Sequence, residues 1–218
     1  MNRARISPNL TLPAWAAFRR HCHRFLAIGY KEALHRVQSE PDEETDITGY
    51  ICEALEEWFR AHPDESLSFF IKDDPPLRGS GRTGKRRPRT DIIITYAAGE
   101  RPEFFFEAKR LNCTKAASQY TGENGMGCFV GERYARQCYE ASMIGYVQSE
   151  SLEHWQNALQ IRVDKLRSDL NVEEISTATS FKDSFPLEWS STHRREATDP
   201  VRLFHILLDC RKDLVPVP

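Results

Sequence analysis

The chain has no apolar run long enough to span a membrane, and no apolar stretch follows the basic residues of "MNRARISPNL" as a secretory leader would require. Its six cysteines (22, 52, 113, 128, 138 and 210) form no CxxC pair and share no His/Cys ligand spacing, which argues against a zinc centre. Most sit among apolar neighbours and read as reduced core thiols. A global excess of basic charge is missing too. Thirty Lys and Arg against 32 Asp and Glu give a net charge of −2, so any polyanion must be met by a local patch. There is no internal repeat and no low-complexity tract. These absences leave a soluble, cytoplasmic protein without a membrane partner as the expectation. At 218 residues, 40% of them apolar, the chain suits a single domain over 1-218.

Helical spacing is clear at the N-terminus. "PAWAAFRRHCHRFLAIGYKEALHRV" puts Trp15, Phe18, Cys22, Phe25 and Leu26 on one face, with Pro13 suited to a first turn. "PDEETDITGYICEALEEWFRAH" repeats the pattern with Ile47, Ile51, Leu55 and Trp58 behind an acidic first turn, which the helix dipole favours. "SLSFFIK", "DIIITY", "PEFFFEAK" and "RLFHILLD" are rich in aromatic and β-branched residues and predict four strands. Between the last two, a stripe of Val130, Tyr134, Cys138, Ala141 and Gly145 predicts a helix in "FVGERYARQCYEASMIGYV", and a second stripe predicts one in "SLEHWQNALQIRVDKLRSDL". The segment "NVEEISTATSFKDSFPLEWSSTHRREATDP" shows no clear periodicity and reads as irregular.

"GSGRTGKRRPRTD", residues 79 to 91, carries Gly79, Gly84 and Lys85 at the spacing of a phosphate-binding P-loop. That motif needs a buried strand before it, a Ser or Thr after the lysine and a helix behind. Here "DDPPLR" precedes, Arg86 replaces the hydroxyl and a strand follows, so the motif is rejected. What remains is a glycine-punctuated basic connection holding Arg78, Arg82, Lys85, Arg86, Arg87 and Arg89, which ends on Asp91.

If Thr95 opposes Glu103 in the hairpin that follows, Ile93 opposes Phe105 and Asp91 opposes Glu107. Alternation then puts Asp91, Ile93, Phe105, Glu107 and Lys109 on one face. Directly opposed residues have Cβ atoms roughly 4.5–5.5 Å apart. The two carboxylates can therefore meet on one small divalent cation, with a backbone carbonyl such as that of Ala108 and waters completing an octahedron. Two carboxylates, a lysine and a basic loop at one end of an apolar hairpin describe metal-dependent attack on a phosphodiester.

Asp91, a gap, then Glu107-Ala108-Lys109 resembles the signature of the PD-(D/E)xK, or restriction-endonuclease-like, nuclease superfamily. The αβββαβ core of that family, an α/β (α+β) fold with a central mixed sheet flanked by helices, would span residues 42-209, with 1-40 as an N-terminal helical addition. One departure is visible: Thr90, not Pro, precedes the aspartate. The resemblance implies that Asp91 and Glu107 bind Mg²⁺ or Mn²⁺, and that Lys109 orients or helps deprotonate the attacking water. Many members add an acid from the first core helix. Glu43, Glu44 and Asp46 are candidates, and Glu44 lies on the face of Ile47 and Ile51. In the helix expected after the ExK motif, Arg133, Tyr134 and Gln137 stand where family members carry site-proximal or DNA-contacting groups.

The function so implied is endonucleolytic cleavage of DNA with little sequence specificity, because Lys and Arg contacts to phosphate carry no base information. Cutting both strands implies a homodimer or a partner, and analogy extends to the effector of a bacterial defence complex with a sensor or ATPase subunit. The competing readings are an inactive nucleic-acid-binding subunit and a metal-dependent hydrolase of nucleotides. His21 and His23, two apart on a helix, do not suit one metal. His205 reads as a core histidine, and His193, Arg194 and Arg195 could either reach phosphate or line a solvated loop.

Overall fold

Helix α1, Leu12–Ala33, begins where the Thr11 side chain accepts a hydrogen bond from the Ala14 amide and Pro13 occupies the first turn. Its buried face carries Trp15, Phe18, Cys22, Phe25 and Leu26. Helix α2, Glu44–Ala61, starts on a capping box in which Glu43 and Asp46 exchange side-chain and backbone bonds, and it buries Ile47, Ile51 and Leu55. The two helices pack closely at Gly29, where a Cβ would stand 2.8 Å from the Ile51 carbonyl oxygen. In this computed structural model the described residues are 11–39, 41–75, 89–99, 101–136, 138–177, 185 and 187–211.

The short helix α3, Pro63–Ser66, leads into β1, Phe69–Asp73; β2, Ile92–Tyr96, and β3, Glu103–Leu111, follow as an antiparallel meander. Thr95 pairs with Glu103 and Ile93 with Phe105, the register expected from alternation. Phe104 and Phe106 are fully buried under α1 and α2, each contributing roughly 1.5–3 kcal/mol of transfer free energy, whereas a one-residue slip would turn them to the other face. After β3 come α4, Ala116–Thr121, α5, Gly127–Val130, and β4, Glu140–Val147, which runs parallel to β3. Then follow α6, Leu152–Lys165, β5, Val172–Ser176, β6, Glu188–His193, and β7, Val201–Asp209. All seven strands form one mixed sheet of order β1-β2-β3-β4-β7-β6-β5, so the protein is of mixed α/β class. Helices α1 and α2 cover one face of the sheet, while α4, α5 and α6 cover the other. Among the described residues no helix is long and apolar enough to cross a membrane.

Two expectations are corrected. The helix expected from Val130 to Gly145 does not form: α5 ends at Val130, residues 131 to 136 turn, and "EASMIGYV" is β4, paired on both sides with β3 and β7. A parallel strand buried on both faces is apolar without alternation, and its residues fell by coincidence at helical spacing. "RLFHILLD" is a buried strand as expected, but it is β7, because β4, β5 and β6 come before it. The segment read as irregular contains β5 and β6, and β6 buries Trp189 alongside the polar Glu188, Ser190, Ser191 and His193.

Candidate active site

Asp91 stands immediately before β2, where three contacts fix its backbone and carboxylate. The buried Thr90 hydroxyl donates to the Phe106 carbonyl at 2.8 Å, tying the strand entrance to β3. The Asp74 amide donates to the Asp91 carbonyl at 2.8 Å, and the Ala108 amide donates to Asp91 Oδ2 at 2.6 Å. Thr90 thus anchors the aspartate through its side chain, a role that the sequence did not reveal.

Glu107, on β3, is 5% exposed and has a carboxylate with two different environments. Oε1 accepts from Lys109 Nζ at 3.0 Å, whereas Oε2 is buried with no hydrogen-bond partner among the described residues. The same ammonium donates to Glu44 Oε1 at 2.9 Å and to the Ala108 carbonyl. One lysine therefore bridges Glu107, Glu44 and the backbone oxygen between the two ExK side chains. The three acids at the start of α2 have separate partners: Glu44 meets Lys109, Glu43 pairs with Arg110 at 2.9 Å, and Asp46 accepts from the Glu43 amide at 2.9 Å.

The electrostatics follow from placing three acids around one base. Burial raises the Asp91 carboxyl to about 6, against the opposing pull of the Lys109 charge and the Ala108 amide. Burial, and then the Asp91 charge, raise Glu107 to about 8 despite its contact with Lys109. Burial alone would lower Lys109, but the Glu107, Glu44 and Asp91 charges outweigh it and hold the ammonium protonated above its ordinary range. On the α5 side, Tyr134 and Cys128 are raised by burial first and by the Glu107 charge second, with Cys128 at about 11. Tyr134 therefore does stand by the carboxylates, on a turn instead of a helix. Cys128 joins it there, and no sequence signal marked that residue.

The expected nucleic-acid contacts fare differently. Arg78, Arg82, Lys85, Arg86, Arg87 and Gln137 lie outside the described residues. Arg89 is exposed and pairs with Asp74 at 2.7 Å, close to Asp91. Arg133 is not on a helix. Its guanidinium turns back to the Glu123 carbonyl and to Asn124 Oδ1 and Cys128 Sγ, both at 3.3 Å, because the chain reverses there before β4. His193 and Arg195 are buried. Arg195 donates to the carbonyls of Asp199, Ala135 and Cys138, so it serves the fold; Arg194 is exposed.

Among the described residues no three His, Cys, Asp or Glu side chains are assembled to hold a metal ion. Two carboxylates nevertheless fit a hard divalent cation that prefers oxygen ligands and retains waters. They are neighbours, burial disfavours their shared negative charge, and Glu107 Oε2 is left without a donor. Lys109 occupies the place of a counter-ion for them. Comparison with protein-family models, with curated proteins and with solved structures returned no match.

Proposed function

We propose that the chain is a Mg²⁺-dependent nuclease with a restriction-endonuclease-like core, hydrolysing phosphodiester bonds of DNA. The observation that carries the reading is the junction of β2 and β3. There the buried Glu107 carboxylate shares the protonated Lys109 with Glu44, the half-buried Asp91 carboxylate beside it is held by the Ala108 amide, and one Glu107 oxygen has no partner among the described residues. The succession of α2, three antiparallel strands, α4 and a strand parallel to the third supports the fold assignment.

Asp91, Glu107 and the Ala108 carbonyl would hold Mg²⁺, with Mn²⁺ as a substitute; when bound, the ion polarises the phosphoryl group and makes water a stronger nucleophile. Asp91 keeps its orientation through the Ala108 amide and Thr90. Lys109, held protonated by Glu44 and Glu107, orients the attacking water and offsets the charge that grows on the phosphoryl oxygens. Its protonation favours that electrostatic role over proton abstraction. Asp74 and Arg89 flank residues 76 to 88 and are ion-paired beside Asp91, so both ends of the basic segment lie next to the carboxylates. That segment would hold the DNA backbone without reading bases. A second copy of the chain, or a partner subunit in a defence complex, would cut the other strand, and the setting would be the cytoplasm.

The test is incubation of the protein with supercoiled and linear DNA in Mg²⁺, Mn²⁺ or EDTA, alongside Lys109→Ala. Cleavage should require either ion and disappear in the variant. Cleavage that survives EDTA, or is untouched in Lys109→Ala, would sink the mechanism.

A further inference from the structure

Glu44 is the first residue of α2, and a helix terminus held only by its own cap has no reason to keep one carboxylate against a lysine on a neighbouring strand. The preceding residues are held from outside the helix. Arg110, next to Lys109 on β3, donates from Nη1 to the Asp42 carbonyl at 2.9 Å and pairs with Glu43 at 2.9 Å. Gln148, just beyond β4 and buried, donates from Nε2 to the same Asp42 carbonyl at 2.9 Å and to the Ser39 carbonyl. The two carbonyls require a donor, which fixes the orientation of the amide. The Asp42 carboxylate in turn accepts from the Gln38 amide at 2.6 Å, and one turn into α2 Thr48 bonds the Tyr146 hydroxyl of β4 at 2.9 Å.

We propose that Arg110 and Gln148 are positioning residues that set Glu44 against Lys109 by gripping the Asp42 carbonyl. The inference rests on the nuclease reading, since it concerns the same site. Two donors from the ends of adjacent strands converge on one carbonyl two residues before Glu44, and those strands also carry Glu107 and Lys109 or pair with them. The grip therefore couples the first turn of α2 to the strand that bears the ExK residues. A residue that acts only through charge, or only through stability, would behave differently.

The experiment is calorimetric titration of Mn²⁺ into the whole chain, in wild type, Glu44→Gln, Arg110→Met, Gln148→Met and the double variants with Glu44→Gln, with denaturation midpoints recorded for each. Removing the Arg110 charge near a cation site would by itself tighten Mn²⁺ binding. Loss of the grip weakens it, by 10- to 100-fold on the scale usual for residues that orient metal-site groups. Gln148→Met should weaken binding similarly with no change of charge. In the Glu44→Gln background both losses should shrink to under about 3-fold, because the carboxylate that they position is gone. Arg110→Lys, a smaller perturbation should Arg110→Met fail to fold, should recover part of the affinity. Tighter binding in Arg110→Met, or equal losses with and without Glu44, would overturn the inference. If Glu44→Gln weakens Mn²⁺ binding while Arg110→Met and Gln148→Met do not, the positioning role fails and the nuclease reading stands. If the wild type binds no Mn²⁺, both fail together.

Discussion

Among the buried polar clusters of the described residues, one on β6 and β7 and one on β2 and β3 differ in whether their hydrogen-bonding side chains are satisfied. On β6 and β7, His193 Nδ1 bonds the Leu170 carbonyl at 2.8 Å, and His193 Nε2 bonds Ser191 Oγ at 2.6 Å. Ser191 Oγ also bonds His205 Nε2 at 2.8 Å, and His205 Nδ1 bonds the Tyr120 hydroxyl at 3.0 Å. The Leu170 carbonyl requires a proton on His193 Nδ1. Ser191 then donates to His193 Nε2 and accepts from His205, while Tyr120 donates to His205 Nδ1. Both nitrogens of each histidine and the Ser191 hydroxyl are paired, and both rings stay neutral because burial lowers them, His193 to about 4. At β2 and β3, by contrast, Glu44 and Glu107 share one ammonium beside Asp91, and Glu107 Oε2 has no partner among the described residues. A satisfied network contributes to the fold; an unsatisfied one retains a capacity to bind. Ser191 lies between two histidines yet is inaccessible, so its resemblance to a nucleophile has no catalytic meaning.

Glu107→Gln should break the contrast most severely. The variant should fold but lose DNA cleavage by about 100-fold or more, measured as the initial rate of plasmid nicking. Ser191→Ala should do the reverse, lowering stability by about 1–3 kcal/mol in denaturant titration by leaving buried nitrogens unpaired, with Mn²⁺ affinity unchanged.

The two clusters also respond oppositely to pH. Glu107 and Asp91 have folded values raised above their ordinary 4.5 and 3.8, so the folded state binds the extra proton and their contribution is lost as pH rises toward about 8 and 6 respectively. His193 is depressed below its ordinary 6.5, so its contribution is gained as pH rises from about 4 to 6.5. Between about pH 6.5 and 8 Glu107 remains in play, together with Glu188 of β6, which burial raises to about 7. Thermal stability of the metal-free protein should fall across that window, Glu107→Gln should flatten the fall, and Mn²⁺ should offset it most at the alkaline end. The smallest effect belongs to the basic segment. Replacing Arg86 and Arg87 by Gln should reduce the salt slope of DNA binding by about 2, at roughly 0.9 per phosphate contact. An unchanged slope would remove those residues from the interface.

The carboxylate cluster was legible in the sequence because it rests on short-range rules. Alternation across the hairpin sets Thr95 opposite Glu103, the register found, and that pairing brings Asp91 to Glu107. The Glu44 contact followed from its position on the buried face of α2. The satisfied cluster was not legible, although His205 stood out as a core histidine. Its strand β6 has one apolar core residue, Trp189, among polar ones, which is too few to show a hydrophobic period, and its partners come from residues up to 85 apart in sequence. β4 was misread because burial on both faces erases alternation. The grip of Arg110 and Gln148 was invisible because its acceptors are backbone carbonyls, which leave no trace in residue identity.

The central claim, that Asp91 and Glu107 form a divalent-cation site, is tested most directly by titrating Mn²⁺ into the wild type and Glu107→Gln at about pH 8. Saturable binding in the wild type that is abolished in Glu107→Gln is the predicted result. No binding in the wild type, or equal binding in both, would contradict it.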